Sequence, residues 1–200
     1  MLLLITGASG VGKSTVRAMI ASQLAPDVEC VELLDLVPAP PAMTRVWRQQ
    51  SAEAAVRRAA ELQSSGRHLL LAGDPVPAAE IVAAPTAPEL ESIAACLLHA
   101  SPEAQAERLT VRGDPAELLP HHQAFAEWMR RQATDPGHMT YVVSDGGWEE
   151  MRWERLQTLA PDWRMHTIDT THLDISQVAD AVLDWCRDAL AGTAPALRVA

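Results

Sequence analysis

The chain of 200 residues carries 26 acidic and 16 basic side chains, for a formal net charge of −10, and 48% of its residues are hydrophobic. This composition fits one globular domain with a sizeable core. The negative charge argues against nucleic acid as a partner, because such binding needs a positive face. No apolar run approaches the roughly 20 residues that cross a bilayer, and residues 1–5 lack the basic flank of a signal peptide. We therefore expect a cytoplasmic protein that binds small molecules and no membrane.

The first part of the chain alternates short apolar runs with helical patterns. Residues 2–6 are too short a run for a helix and are followed by glycine, which predicts a buried strand. From Lys13 onward, Val16, Ile20 and Leu24 recur every four positions, which is typical of one face of an amphipathic helix. The same reasoning predicts a strand at 28–34, a helix at about 44–65 that Gly66 ends, and a strand at 68–73.

Residues 92–100 and 164–169 are predicted to form two further strands. Strands that alternate with helices predict an α/β three-layer sandwich, in which right-handed crossovers join a parallel sheet with helices on both faces. We expect a single domain over residues 1–190. The low-complexity tail, 191–200, is expected to be poorly ordered.

Helix starts are marked clearly in the second half of the chain. Ser101 precedes a proline at the first helical position, and Asp114 before Pro115 repeats the pattern. Asp174 with Gln177 forms a capping box for the last helix.

The three cysteines are Cys30, Cys96 and Cys186. They are odd in number and far apart, so they match neither a disulfide framework nor a metal-ligand spacing. We expect reduced, buried thiols.

The segment GASGVGKS, from Gly7 to Ser14, fits the phosphate-loop pattern G-x-x-x-x-G-K-[ST] and lies between a predicted strand and a predicted helix. Glycines let the backbone fold so that its N–H groups point at phosphate oxygens, and the helix dipole adds to that field. Lys13 would reach the β- and γ-phosphates, and the Ser14 hydroxyl would ligate Mg²⁺. The alternative is a glycine turn that only connects strand to helix. The candidate nucleotide contacts are Gly7, Ala8, Ser9, Gly10, Val11, Gly12, Lys13, Ser14 and Thr15.

Other motifs favour transfer of a phosphoryl group over hydrolysis. Lys13 is the only lysine in the sequence, so the guanine-reading N/T-K-x-D segment of a GTP switch is absent. The third predicted strand is followed by Asp74, a candidate Mg²⁺ ligand, and then by Pro75 where a hydrolytic ATPase usually has its second acid. The alternative for Asp74 is a simple turn residue before proline.

With these motifs the chain resembles the small phosphate-loop kinases of the nucleoside-monophosphate-kinase-like superfamily, which includes adenylate, shikimate and gluconate kinases and chloramphenicol phosphotransferase. The resemblance rests on GASGVGKST, on ELLD with Asp35, on LLHASPEAQAERLTVRG and on IDTTHLDISQVADAVLDW. It implies strand order 2-3-1-4-5, with ATP and Mg²⁺ at the carboxyl edge of the sheet. It also implies that Asp35, expected at the carboxyl end of the second strand, orients or deprotonates the acceptor hydroxyl. A turn or helix-cap role is the alternative for Asp35.

The resemblance also assigns roles to two arginines and one loop. Arg108 and Arg112 lie four residues apart on one helix face, and such arginines in the family stack on adenine or neutralise charge on the transferring phosphoryl group. Pairing with nearby glutamates is the alternative. Residues 169–171, with Thr170, resemble by position the loop that meets the edge of adenine.

Residues 113–163 depart from the family pattern, because a short lid would be usual there. This insert contains the only Phe, the only Tyr and four of the six Trp residues of the chain. It is either a lid that stacks on the acceptor and excludes water, or a helical insertion with its own small core. Arg45 and Arg48 could bind an anionic acceptor, or could face solvent.

These observations predict a kinase that uses ATP and Mg²⁺ to phosphorylate a small hydroxylated molecule: a nucleoside, nucleotide, sugar acid or antibiotic. Lys13, Asp35 and Arg112 are the candidate catalytic residues. The alternative is a regulatory nucleotide-binding protein with little or no turnover. The acceptor, the choice between ATP and GTP, and the oligomeric state stay open.

Overall fold

Five parallel strands form one sheet in the order β2-β3-β1-β4-β5, as expected. The structure is a computed structural model, and it describes residues 1–73 and 75–199. Strand β1 lies at the centre, where Leu3 pairs with Leu70 on one side and Ala94 on the other. The strands are β1 (Leu2–Thr6), β2 (Val28–Glu32), β3 (His68–Ala72), β4 (Ile93–His99) and β5 (His166–Asp169).

Helices cover both faces of this sheet. Helices α1 and α9 share one apolar cluster with the sheet, whereas α3, α4 and α8 pack into a second cluster. No helix among the described residues is long and apolar enough to cross a membrane. The helices are α1 (Lys13–Leu24), α2 (Leu33–Leu36), α3 (Arg45–Gln63), α4 (Ala78–Ala83), α5 (Pro102–Arg112), α6 (Leu119–Gln132), α7 (Tyr141–Ser144), α8 (Arg155–Leu159) and α9 (Ile175–Leu190).

The predicted caps of α5 and α9 are confirmed, and the one at Asp114 is wrong. Ser101 accepts a hydrogen bond from the Ala104 amide at 3.2 Å, and Asp174 forms its capping box. Helix α6 begins at Leu119 after a 3₁₀ turn, because the Asp114 carboxylate accepts two hydrogen bonds from Arg112 instead of capping a helix.

Strand β2 ends at Glu32, two residues earlier than expected. The chain then turns into α2, and the Asp35 carboxylate accepts a hydrogen bond from the Glu32 amide at 2.8 Å. Asp35 is therefore a residue of a short helix, exposed and engaged in a capping box. Its expected place at the carboxyl end of the strand is wrong, and Glu32 has that place.

The expectation of a poorly ordered tail is wrong for the described residues up to Val199. Leu197 forms an antiparallel bridge with Ile93, with backbone hydrogen bonds of 2.8 and 2.9 Å. The side chains of Leu197 and Val199 are buried in the core next to the sheet. Burial of these two apolar side chains holds the tail in place.

The insert consists of α6, α7, α8 and their connections. Trp128 and Trp163 are only 5% and 2% exposed, and the Trp163 indole donates to the Gln132 carbonyl at 2.9 Å. Trp128 belongs to an apolar cluster that also contains Val143 of the insert and Ala8 of the glycine loop. These contacts favour the packing role for both tryptophans, because a side chain buried in a core is not available to stack on a ligand.

Candidate active site

The loop between β1 and α1 has the geometry that a phosphate cradle needs. Gly7, Gly10 and Gly12 have φ values of 142°, 86° and 95°. Residues other than glycine rarely adopt such values. A Cβ atom on Gly7 would lie 2.3 Å from the Leu98 carbonyl oxygen. No side chain caps the start of α1, so its first amides are available to an anion.

Lys13 reaches back across this loop. Its ammonium donates to the carbonyl oxygens of Gly7 at 2.7 Å and Ala8 at 2.9 Å, and the residue is only 6% exposed. These hydrogen bonds hold the amine against the loop, from which the motif predicts that it reaches the phosphates of a bound nucleotide.

Helix α5 supports the loop from one side. The buried amide of Gln105 donates to the Ser9 carbonyl at 2.9 Å, and the Leu109 side chain lies 3.2 Å from where a Cβ on Gly10 would be. Sequence analysis missed Gln105, although its spacing of four residues from Leu109 puts both on one helix face.

A cavity of about 600 Å³ opens at the carboxyl edge of the sheet. It brings most of the glycine loop together with the two predicted arginines. Gly7 and Ala8 are buried and do not line it, and Val11 lines a smaller recess beside it. Asp74, the second candidate Mg²⁺ ligand, lies outside the described residues. The lining residues are Ser9, Gly10, Gly12, Lys13, Ser14, Thr15, Glu32, Leu34, Gly73, Pro75, Arg108 and Arg112.

Arg108 joins this cavity to the loop after β5. Its guanidinium donates to the Thr170 hydroxyl at 2.8 Å and to the Thr170 carbonyl, and Thr170 is fully buried. A recess of about 140 Å³ lies beside this pair, with Leu173 and Ile175 in its wall. The structure thus brings Arg108 and Thr170 together next to the glycine loop.

Arg112 lines the same cavity but is already paired. It makes a bidentate ion pair with Asp114, at 2.6 Å for Nε. Hydrogen bonding between the two lowers the pKa of Asp114 and raises that of Arg112. The guanidinium is therefore paired where it stands, although with Asp114 and not with the glutamates that the alternative named.

Among the described residues, Glu32 is the carboxylate that lines the cavity. It ends β2 opposite Ala72, and its Oε1 accepts from Arg17 Nε at 3.3 Å. Asp35 is not among the residues that line this cavity. Sequence analysis missed Glu32 because it extended the strand two residues too far.

A second cavity, of about 300 Å³, is lined by Pro75, which also lines the first. Its other walls come from the start of α3 and from the segment before it. The residues are Met43, Thr44, Arg45, Trp47 and Arg48.

The described residues contain no group of three or more His, Cys, Asp or Glu side chains that could hold a metal ion. A Mg²⁺ site of the kind found with nucleotides needs fewer protein ligands, because phosphates and water supply the rest. The Ser14 hydroxyl, exposed in the cavity at the start of α1, fits that requirement.

No protein-family model and no curated protein sequence matches the chain. Several solved structures are similar. A sugar kinase from Janibacter sp. HTCC2649 has a TM-score of 0.61 at 17% identity, over 96% of this chain and 97% of that one. A gluconokinase from Sinorhizobium meliloti 1021 has a TM-score of 0.57 at 19% identity, over 94% of each chain. The tunicamycin resistance protein of Deinococcus radiodurans has a TM-score of 0.54 at 15% identity, over 92% of this chain and 94% of that one. The chain therefore shares its fold with these proteins.

Proposed function

We propose that this protein is an ATP-dependent kinase that phosphorylates a small hydroxylated molecule. The observation that carries the proposal is a cavity in which a glycine loop, Lys13 and the Glu32 carboxylate meet, and which shares Pro75 with a second cavity. A donor site next to an acceptor site is what phosphoryl transfer requires.

Most residues of the first cavity would bind and orient the donor. The loop amides and the Lys13 ammonium would hold the phosphates of ATP, and Arg108 would add positive charge next to them. Bound Mg²⁺, held partly by Ser14, would neutralise charge on the β- and γ-phosphates. Asp74 keeps its proposed role as a second, water-mediated ligand.

Glu32 would act on the acceptor. Its carboxylate would accept a hydrogen bond from the acceptor hydroxyl and take the proton as the new O–P bond forms and the bond to ADP breaks. This role replaces the one expected for Asp35, because Glu32 and not Asp35 lines the cavity.

Two of the comparisons support a small-molecule acceptor. The similar solved proteins are named as a sugar kinase, a gluconokinase and a tunicamycin resistance protein. The first two names describe transfer to small hydroxylated compounds. At 15–19% identity the particular substrate does not carry over to this chain.

The test is consumption of ATP with Mg²⁺, alone and with nucleosides, nucleotide monophosphates, polyols, sugar acids and antibiotics, while mass spectrometry follows the products. We expect one acceptor class to stimulate turnover and to gain the mass of one phosphoryl group. Lys13→Ala should lose this turnover, and Arg67→Ala, a cation outside the cavity, should keep it. Tight ATP binding with no acceptor-stimulated turnover would favour the regulatory alternative instead.

A further inference from the structure

A buried ion pair forms one wall of the second cavity. Arg48 donates from Nε to Glu80 Oε2 at 2.8 Å and from a terminal nitrogen to Oε1 at 2.6 Å. Glu80 is fully buried, whereas the Arg48 side chain is 22% exposed. The guanidinium that faces the cavity is therefore already bound, in bidentate geometry, by a carboxylate behind it.

Glu80 cannot easily release this arginine. Its other hydrogen bond comes from the neutral amide of Gln49, at 3.1 Å. That amide also donates to the Val143 carbonyl at 2.8 Å and accepts from the Trp148 amide at 2.6 Å, so the insert fixes its orientation. If Arg48 turned to an anionic ligand, Glu80 would be left as a buried charge without a cation, which is strongly unfavourable.

The rest of the cavity is mostly apolar. Met43, Trp47 and Pro75 contribute carbon surface, and the Thr44 hydroxyl accepts from the Trp47 amide as the cap of α3. Arg45 is the other cation in the lining; it donates to the Asp145 carbonyl and is partly exposed. Attraction to a partly exposed cation is weak, because water and salt screen it.

We propose that the acceptor of this kinase is a neutral molecule, with a hydroxyl group to phosphorylate and an apolar or ring-bearing part that packs against Trp47. A carboxylate or phosphate on the acceptor would gain little from Arg48, because Glu80 already balances the charge of that guanidinium. This inference rests on the proposed function, and it removes nucleotides and sugar acids from the acceptor classes that the sequence left open.

The first test uses matched pairs of acceptors that differ by one charge: sorbitol with gluconate, and 4-nitrophenyl glucoside with 4-nitrophenyl glucuronide. Binding is followed by saturation-transfer NMR and transfer by product mass. We expect the neutral member to bind roughly tenfold or more tightly than the acid. Equal or tighter binding of the acid, or binding by neither neutral member, would overturn the inference.

The second test releases the arginine. Glu80→Gln removes the balancing charge, so the ratio of kcat/KM for the acid to that for the neutral acceptor should rise roughly tenfold. Glu53→Gln is the matched control, since Glu53 is a buried carboxylate on α3 that pairs with Arg57 at 2.6 Å and lines neither cavity. A ratio that does not move in Glu80→Gln, or that moves equally in both variants, would contradict the inference.

A third variant tests the inference independently, in case Glu80→Gln misfolds. The double substitution Arg48→Met with Glu80→Leu replaces the pair by apolar side chains, an exchange that buried ion pairs often tolerate. It should keep the preference for neutral acceptors. Loss of that preference would show that Arg48 itself recognises the acceptor.

The two proposals fail in different ways. Turnover that is stimulated more by acids than by neutral acceptors refutes the inference and leaves the kinase in place. ATP binding without stimulation by any acceptor refutes the kinase, and the inference with it.

Discussion

The Cδ atom of Glu32 lies 2.8 Å from the point that a Cβ atom on Gly73 would occupy. The carboxylate of β2 thus fills space that the glycine leaves at the end of β3. Arg17 of α1 also pairs with Glu32, at 3.3 Å, so Glu32 contacts two elements at the carboxyl edge of the sheet. This position, in the lining of the cavity, is the reason for proposing the proton-accepting role.

Glu32→Gln should therefore lower kcat by at least about 100-fold, the lower end of what a general base contributes. The amide has nearly the same shape but cannot accept the proton. Steady-state kinetics with the acceptor measures this effect, and a titration should show ATP affinity within a few-fold of the wild type.

Asp35→Asn is the natural control, since its carboxylate belongs to the same capping box but does not line the cavity. It should keep most of the activity and cost about 1 kcal/mol or less of the free energy of unfolding. A large loss of kcat in Asp35→Asn, with Glu32→Gln still active, would reverse the assignment.

The difference between Glu32 and Asp35 shows where prediction from sequence stopped. The glycine loop and the caps of α5 and α9 depend on local patterns and were predictable, and the strand order followed from the family resemblance. The end of β2 was not, because VECVELL continues the apolar pattern past Glu32 into α2. The E-x-x-D spacing of Glu32 and Asp35, a capping box, was the signal that could have located the helix start.

Other parts of the site depend on contacts between distant residues. Arg48 and Glu80 are 32 residues apart, and Gln49 meets Trp148 across 99. No periodicity or motif links such positions, so the sequence could offer Arg48 as an anion-binding group but could not show that Glu80 had neutralised it. The packing of Leu197 in the tail against the sheet could not be predicted for the same reason.

The two arginines of α5 should differ in their effect on the nucleotide. Arg108→Met removes a guanidinium that holds Thr170 beside the glycine loop, so we expect the KM for ATP to rise about tenfold or more. Arg112→Met should have the smaller effect, because Asp114 already balances that charge. Initial rates across ATP concentrations measure both.

An exposed ion pair far from the glycine loop in sequence, Arg187 with Asp184, provides the control for these two variants. Arg187→Met removes an exposed partner of Asp184 on α9 and should leave the KM for ATP unchanged. If Arg112→Met raised the KM as much as Arg108→Met, the ion pair with Asp114 would not persist when ATP is bound.

The three thiols should resist modification in the folded protein. Burial raises the pKa of all three, that of Cys186 to about 12, and the reactive form of a thiol is the thiolate. Iodoacetamide at pH 8, followed by peptide mass spectrometry, should label Cys30 first, because it is the half-buried one. Denatured protein, the control, should label at all three; comparable native rates at Cys96 and Cys30 would contradict the packing of β4.

Gly7→Ala tests whether the glycine loop has the geometry described. The added Cβ would lie 2.3 Å from the Leu98 carbonyl oxygen, with φ at 142°, so the loop or β4 must shift. We expect a loss of more than about 4 kcal/mol in the free energy of unfolding, together with loss of ATP binding. Gly66→Ala is the matched control, since Gly66 has φ of 71° and nothing within 4 Å of its Cβ position. Gly66→Ala should lower the free energy of unfolding by only about 1 to 2 kcal/mol, the cost of a left-handed conformation in a residue with a Cβ atom. It should keep ATP binding. Urea denaturation of the two variants beside the wild type gives the comparison, and equal losses would mean that Gly7 is not pressed against β4.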